Sequence, residues 1–284
     1  LHILPSIGEW GGKREIKKVL KQMMAGELGT SCSNLSVSRD ATADGEMYAV
    51  RILDWGLHRI SKLHQYPLIT VGIPDRGHPY CNIGWVGFLG AVSGMNLQGI
   101  TLGEMGYGDP EGERLEGTPM PFLLRDILSY ASNLADVRRL IEQSPPTASF
   151  GYLMTDGKTE EAELYIRDPQ RFLVFRPGTE IRDKEEFLPS RDNTVYGGHY
   201  NEVMAEALAM HHGKLSPELF MKELIPQMAM SSNFQNVIYH PRGLRFWVNN
   251  ADSPTVDAKD QPYTLFEFGK AVEEYRAKLK PVAL

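Results

Sequence analysis

Short strand-like segments joined by tight turns dominate the middle of this 284-residue chain and constrain its fold class most strongly. Residues 33–38 and 47–53 flank Asp44-Gly45, a dipeptide that favours the positive φ angles of a hairpin turn. These two segments are therefore predicted to be antiparallel neighbours. Further strands are predicted over 66–73, 90–102 with a turn at 96–99, 150–154, 161–166, 172–175, 237–240 and 244–248.

Helical apolar spacing lies between these groups of strands rather than after every strand. It predicts helices over 13–24, 121–142, 201–211, 217–229 and 270–280, with Pro217 in a first turn. Antiparallel runs of strands with helices between the groups favour an α+β class over a doubly wound parallel sheet.

Composition narrows the classes of function. The 30 basic and 36 acidic residues give a net charge of −6, which offers no reason to expect a nucleic-acid partner. The absence of a long apolar run predicts no membrane span. We expect no metal site, because the sequence contains neither CxxC nor HExxH. We also expect no cofactor. Two cysteines are too few for a disulfide framework. A start at Leu1 leaves the compartment open between a mature secreted or periplasmic form and a cytoplasmic one, and the oligomeric state is open too, a homo-oligomer included.

Cys32 is the first candidate for chemistry. It follows a glycine-containing break, at Gly26 and Gly29, and begins a predicted strand, where a side chain can be exposed at the end of a sheet. A thiolate is a strong nucleophile, and a nearby cation lowers the pKa of its thiol. A lone cysteine is more often a small buried apolar residue, and this is the expectation for Cys81.

Arg51 and Asp54 place two charges inside an otherwise apolar strand. Buried charges are costly unless they are paired or functional. The Asp44-Gly45 turn would return this strand alongside Cys32, so Arg51 could stabilise a thiolate and Asp54 could hold an amine. A plain salt bridge between the two is the alternative. Residues three apart point to opposite faces of a regular strand, so Asp54 is predicted to lie at a strand end or a bulge.

Five blocks of sequence, in order, resemble the N-terminal-nucleophile (Ntn) cysteine hydrolases of peptidase family C45, the acyl-coenzyme A:6-aminopenicillanic acid acyltransferase group. That group is related to choloylglycine hydrolases, penicillin V acylases and acid ceramidase. The resemblance covers roughly residues 30–268. The blocks are Thr30-Ser31-Cys32-Ser33 with Ala41-Thr42-Ala43-Asp44-Gly45, Arg51-Ile52-Leu53-Asp54-Trp55, Gly84-Trp85-Val86-Gly87-Phe88-Leu89-Gly90 with Ser93-Gly94-Met95-Asn96, Ile100-Thr101-Leu102-Gly103-Glu104-Met105-Gly106, and Ser231-Ser232-Asn233-Phe234-Gln235-Asn236-Val237 with Leu244-Arg245-Phe246-Trp247-Val248.

The resemblance implies a four-layer αββα sandwich and a precursor that cuts itself between Ser31 and Cys32. Residues 1–31 would then be a propeptide or an N-terminal helical segment, and 32–284 the catalytic domain. The freed α-amino group of Cys32 would be the base for its own thiol, which attacks an amide carbonyl and forms a thioester. The partner implied is a small-molecule acyl amide. By position, Arg51 and Asp54 would contact the thiol and the amino group.

Four further residues are weaker candidates for substrate or oxyanion binding: Trp85, Asn96, Glu104 and Asn233. Trp85 and Asn96 have structural alternatives, as a core aromatic and as a turn former. Glu104 marks either a cationic or amine-bearing substrate or a structural glutamate. The chain departs from the broader superfamily at Ser31, where glycine is common. Residues 195–200 lack the asparagine that often donates to the oxyanion, so a backbone N–H is the expected donor.

Three functions remain open on these residues. The first is an amidohydrolase that cleaves a linear acyl amide. The second is an acyltransferase that passes the same acyl group to an amine. The third is a non-catalytic binding protein on the same fold, against which the two strand charges argue.

Overall fold

Two antiparallel sheets packed face to face form the centre of the molecule. The computed structural model describes residues 30–59, 61–107, 116–178, 193–198 and 201–278. Helices cover the outer face of each sheet, so the layers run helix, sheet, sheet, helix. The predicted α+β class and αββα sandwich are confirmed.

The first sheet, sheet I, has six strands in the order β10-β1-β2-β11-β12-β13. Their bounds are β1 Thr30–Arg39, β2 Gly45–Trp55, β10 Thr194–Gly198, β11 Asn233–His240, β12 Arg245–Asn250 and β13 Thr264–Phe266. The second sheet, sheet II, has seven strands in sequence order. Their bounds are β3 Pro67–Gly72, β4 Tyr80–Trp85, β5 Ser93–Asn96, β6 Ile100–Gly106, β7 Phe150–Asp156, β8 Glu161–Arg167 and β9 Phe172–Phe175.

The β1–β2 hairpin forms as predicted around Gly45, whose φ of +79° is the conformation that the turn needs. β2 then pairs with β11 on its other side, although the two strands are far apart in sequence. A central strand covered on both faces loses the alternation of polar and apolar residues, which explains why residues 47–53 form an almost continuous apolar run.

The single helix predicted over 121–142 is wrong. Two helices occupy this region, α1 (Met120–Tyr130) and α2 (Leu134–Gln143). The chain is extended at Ala131, and the Asn133 side chain accepts a hydrogen bond from the backbone N–H of Asp136, which caps the start of α2. Both helices pack their apolar faces on sheet II, so an apolar stripe continues across the break and hides it from a periodicity argument.

The helices on sheet I follow the prediction closely. They are α3 (Asn201–Met210) and a helical segment, α4, made of Pro217–Leu219, the π-turn Phe220–Leu224 and Ile225–Met228. The final helix, α5 (Phe268–Lys278), confirms the helical tail. Strands β4, β10 and β13 were not predicted from the sequence. The predicted helix over 13–24 lies outside the described residues.

Candidate active site

Cys32 and Arg51 face the space between the two sheets. Cys32 pairs with Leu53 across the β1–β2 ladder, and Asn34 pairs with Arg51. Residues directly opposite in an antiparallel pair share a face, and so do residues two apart on one strand. Cys32 and Leu53 both belong to the apolar core between the sheets, so Asn34 and Arg51 point into the same space.

The Arg51 guanidinium is fully buried. Its Nη1 donates to the backbone oxygen of Ile52 at 2.7 Å, and its Nη2 lies 3.8 Å from Oε2 of Glu104 on β6. Nε and Nη2 have no hydrogen-bond partner in the described ranges. A buried cation with unused donors is costly, and such donors are suited to stabilising a negative charge that develops during a reaction.

The Cys32 thiol is buried, and this burial raises its pKa to about 12. The Arg51 guanidinium acts in the opposite direction and lowers the pKa, whereas the carboxylates of Glu104 and Asp54 raise it further. The thiol of the uncut chain is therefore protonated at neutral pH, and it needs a base before it can attack a carbonyl.

Asp54 lies at a strand end opposite a bulge, as predicted. It is the second-last residue of β2, and the β2–β11 register shifts between Asn233 and Gln235 at this point. Its partner across the β1–β2 ladder is Ser31, the residue before Cys32. Burial raises the pKa of Asp54 to about 6, against the effect of the Asn233 amide, which donates to Oδ1 at 3.0 Å.

A chain of asparagine amides holds Asn233 in place. Asn233 and Asn236 exchange two side-chain hydrogen bonds of 2.8 Å each, and Asn236 donates to Asn249 at 3.0 Å. Asn249 donates in turn to the backbone oxygens of Ala258 and Gln261. Asn233 therefore acts on Asp54 from a fixed position. Asn236 and Asn249 were not singled out from the sequence, where amides near strand ends look like ordinary surface residues.

Asn34 and Gly103 were also missed. The Asn34 side chain donates to the backbone oxygen of Glu104 at 3.0 Å, and its own oxygen has no hydrogen-bond partner in the part of the chain that the structure describes. A Cβ at Gly103 would lie 2.0 Å from that oxygen and 2.9 Å from Cδ of Arg51. Only glycine fits here, so β6 can approach Asn34 and Arg51 closely.

The weaker candidates separate into two groups. Glu104 and Asn233 lie in the cluster, bound to Arg51 and Asp54 respectively. Trp85 joins an aromatic group beside it, stacked on Phe88 at 4.6 Å between ring centroids and in contact with the rings of Trp55 and Phe234.

Asn96 is not brought to the cluster as a free donor. Its amide donates to the backbone oxygens of Leu128 and Ala131 and its oxygen accepts from Gln98 and Ile100, so it closes the β5–β6 turn and caps the end of α1. Cys81 is buried, as expected, in a separate part of the core between the sheets.

The segment that lacks the expected asparagine runs alongside the nucleophile. Its residues 194–198 form β10, which pairs with β1 so that Gly198 faces Ser33. Gly198 has a φ of +128°, and a Cβ there would lie 2.3 Å from the backbone oxygen of Cys32. The backbone of β10 at Gly198 therefore packs directly against the backbone of β1 at Cys32.

An apolar cavity of about 350 Å³ adjoins the aromatic group. Its lining is formed by the loop after β4, the start of α1 and the start of β7: Gly87, Phe88, Leu89, Gly90, Pro119, Met120, Pro121, Phe122, Thr147, Ala148 and Phe150. Phe88 belongs to both the cavity and the aromatic group. Within the described ranges no three His, Cys, Asp or Glu side chains converge to hold a metal ion, and no helix is long and apolar enough to cross a membrane. The expectation of no metal stays a prediction.

Residues 43–185, half of the chain, match the family model of the acyl-coenzyme A:6-aminopenicillanic acid acyl-transferases. The chain belongs to this family. The match includes Arg51, Asp54 and Glu104 and begins after Cys32. The resemblance read from the sequence is thereby confirmed at the level of the family, whose members and fold neighbours are enzymes.

Two curated relatives come from Dictyostelium discoideum. Protein dcd1A is 26% identical over 147 residues, which are 49% of this chain and 33% of that protein. Protein dcd1B is 29% identical over 149 residues, which are 51% of this chain and 29% of that protein. The chain thus spans about a third of the length of these relatives.

Two solved structures share the fold. A Caenorhabditis elegans N-acylethanolamine-hydrolyzing acid amidase ortholog superposes with a TM-score of 0.56 at 11% identity, covering 83% of this chain and all of that one. A mutant of conjugated bile acid hydrolase from Clostridium perfringens gives 0.55 at 10% identity, covering 84% of this chain and 93% of that one. At these identities the similarity establishes the fold of the sandwich alone, and the chemistry must be inferred from the residues of the site.

Proposed function

We propose that this member of the family is an Ntn amidohydrolase that cuts its own Ser31–Cys32 bond and then cleaves acyl amides through a Cys32 thioester. The observation that carries the proposal is the buried Arg51 guanidinium beside the Cys32 thiol, with two nitrogens that have no hydrogen-bond partner in the described part of the chain. Most buried donors are satisfied in folded proteins, so two unused donors beside a thiol suit a negative charge that develops there.

Self-cleavage would begin with attack of the Cys32 sulfur on the carbonyl carbon of Ser31. The C–N bond breaks, the nitrogen takes up the thiol proton and becomes the α-amino group of Cys32, and water then hydrolyses the resulting thioester to a Ser31 carboxylate and a free thiol. The position of Asp54 across the ladder from Ser31 supports this step, because the carboxylate can hold the amino group as it forms.

Turnover uses the groups that cleavage creates. The α-amino group, with a reference pKa of about 8, takes the proton from the thiol. The thiolate attacks the amide carbonyl, and Arg51 offers its unused N–H donors to the negative charge that develops. The amino group returns the proton to the leaving amine. Water then hydrolyses the thioester and releases the acid.

The apolar cavity suits the acyl half of such a substrate. Its lining is almost entirely aliphatic and aromatic, and about 350 Å³ is enough for a medium-length acyl chain or a phenyl ring. The contact of Phe88 with Trp85 joins this cavity to the aromatic group beside Asp54 and Asn233. The nematode fold neighbour is described as hydrolysing N-acylethanolamines, which also pair an acyl group with a small amine.

Acyl transfer is the second candidate, because the matching family is described as an acyl-transferase. The thioester would then be consumed by an amine in place of water, with the same residues in the same roles. Analysis of products with and without an added amine acceptor separates the two reactions.

The intact mass of the protein under denaturing conditions tests the proposal. We expect the wild type to split between Ser31 and Cys32 and Cys32→Ala to stay whole. Cys81→Ala is the matched control, because it removes the other buried thiol, and it should be processed normally. Burial also raises the pKa of Cys81 to about 12, but no arginine of the described ranges acts on this thiol. Either a whole wild-type chain or processing that survives in Cys32→Ala would contradict the mechanism. A whole wild-type chain would in addition favour the non-catalytic binding protein.

A further inference from the structure

A second cavity, of about 380 Å³, lies between the sheets. It is formed by β11 and β12 of sheet I and by β3 and β4 of sheet II, and it shares no lining residue with the apolar cavity. Its lining includes Ile69, Ile83, Gln235, Val248, Asn250 and Asp252. His64 lies on its rim.

One row of the sheet I ladder connects this cavity to the nucleophile. Cys32 pairs with Leu53, Leu53 with Gln235, and Gln235 with Asn250. Residues in such a row project to the same face, and the 2.9 Å hydrogen bond from Gln235 Nε2 to Asn250 Oδ1 agrees with this. Adjacent strands are about 4.8 Å apart, so Gln235 lies roughly 10 Å from Cys32.

The cavity offers hydrogen-bond acceptors and a negative charge. Gln235 is 1% exposed, and its Oε1 has no hydrogen-bond partner among the described residues, nor has Nδ1 of His64. A buried acceptor without a donor is destabilising, so a ligand that donates to Gln235 would recover that loss. The carboxylate of Asp252 lies at the exposed rim, and no lysine or arginine is among the described residues that line the cavity. These groups fit an ammonium ion.

We propose that this cavity binds the amine half of the substrate and that this amine carries a second, cationic nitrogen, which Gln235 and Asp252 receive. The inference rests on the proposed amidase activity of Cys32. The scissile nitrogen must lie about 3 Å from the sulfur and the ammonium about 3 Å from Gln235 Oε1. If both contacts are made along the row the two nitrogens are roughly 4 Å apart, and if both are made from above it they are roughly 10 Å apart. The five or six bonds of a diaminobutane or a diaminopentane, at about 1.2 Å each, fall in the middle of this range.

The buried carboxylate of Glu104 supports this choice of cavity. The sequence made Glu104 a candidate for a cationic substrate, but its side chain is directed at Arg51 and already has a cationic partner. No lysine or arginine of the described ranges lines the cavity beside Gln235 and Asp252, so these two side chains are available to accept hydrogen bonds from a substrate cation.

The test compares two amides that share one acyl group, a monoacylated α,ω-diaminopentane and the N-hexyl amide, in which a methyl group replaces the ammonium. We expect wild-type kcat/KM to favour the diamine derivative by about tenfold, the ratio expected for one hydrogen bond to a charged group. Gln235→Leu should abolish this preference. Gln143→Leu, the same substitution at the exposed end of α2, should retain it.

A second variant and a binding measurement separate failure of this inference from failure of the amidase proposal. Asp252→Asn lies at the exposed rim, where folding is not at risk, and should weaken the preference more at low salt than at high salt. Calorimetry on Cys32→Ala, which turns nothing over, should show tighter binding of the monoacetylated diamine than of N-hexylacetamide, and Gln235→Leu should remove the difference. Equal binding of the two probes overturns the cation site even where both amides are cleaved. Unequal binding without cleavage upholds the site and overturns the amidase.

Discussion

At the scale of single residues, the site is a small set of ionisable groups held out of water. Arg51 and Asp54 are both fully buried, and the thiol of Cys32 is nearly so. Charges in such surroundings are stable only when partners compensate for the lost hydration. Asp54 has one hydrogen bond to Oδ1 from a side chain and no partner at Oδ2 in the described ranges, which explains why burial outweighs its hydrogen bonds and raises its pKa to about 6.

The raised pKa of Asp54 predicts how stability depends on pH. Between its ordinary value of 3.8 and about 6, the folded uncut chain binds more protons than the unfolded chain, so this group makes folding less favourable as pH rises through that window. Asp54→Asn keeps an oxygen for the Asn233 amide and removes the charge. In the uncut Cys32→Ala background it should raise the free energy of unfolding by about 2 kcal/mol more at pH 8 than at pH 4. Thermal unfolding at both pH values measures this difference, and an equal change at the two pH values would contradict it.

In the protein that retains Cys32, Asp54→Asn should slow turnover by at least about a hundredfold.

Sequence reasoning reached the residues whose chemistry is unusual for their setting. Cys32, Arg51 and Asp54 stand out because a thiol at a strand start and two charges inside an apolar strand call for an explanation. Asn34 and Gln235 do not stand out, since amides are common near strand ends. Asn34 matters because it faces Arg51 across the ladder, and Gln235 matters because it lies in the same row as Cys32. The strand register that creates these two relations is visible only in the folded sheet.

At the scale of elements, β6 forms the wall that closes the site from sheet II. Its Glu104 pairs with Arg51, its backbone accepts from Asn34, and its Gly103 leaves room for both side chains. The backbone of β6 therefore packs directly against the side chains of Asn34 and Arg51, and Gly103 is the residue that allows this contact.

Gly103→Ala tests the role of this close approach. The new methyl group would overlap Asn34 Oδ1 and press on Cδ of Arg51, so both side chains must move or β6 must retreat. We expect at least about a tenfold loss of self-cleavage and turnover, together with a loss of about 1–3 kcal/mol in the free energy of unfolding. Gly106→Ala is the control on the same strand, because a Cβ there meets nothing within 4 Å. Equal rates for the two variants would show that the packing of β6 does not position Arg51.

At the scale of the whole molecule, the sandwich brings together segments that no local signal connects. Asn233 reaches Asp54 across 179 residues of sequence, because β11 inserts between β2 and β12. Turn dipeptides and apolar patterns predicted the hairpins on either side and the α+β class, but they could not predict which hairpins become neighbours. The layer order was predicted only through the resemblance to a family.

Tyr239 makes one of the hydrogen bonds between the two sheets. The buried Tyr239 of β11 donates from its hydroxyl group to the backbone oxygen of Leu102 on β6 at 3.2 Å. Tyr239→Phe should lower the free energy of unfolding by about 1 kcal/mol without changing the self-cleavage rate, since the ring still fills its place in the core. Urea denaturation measures the loss. Tyr275→Phe, on the exposed face of α5, should leave stability unchanged, and an equal effect of the two substitutions would deny the link between sheets.

The ion pair of Arg51 with Glu104, taken together with Asp54, has a consequence for the direction of maturation. When both carboxylates are ionised, two carboxylates and one guanidinium give the buried cluster of the uncut chain one negative charge in excess. Breaking the Ser31–Cys32 bond would free an α-amino group next to Asp54, and the protonated form of that group would bring the sum to zero once the new Ser31 carboxylate has left the cluster. When the amino group is neutral, transfer of the thiol proton to it would give an ammonium–thiolate pair without changing the net charge of the cluster. The folded precursor would thus hold an uncompensated negative charge in its interior, and cleavage of its own backbone would be the step that supplies the compensating positive charge.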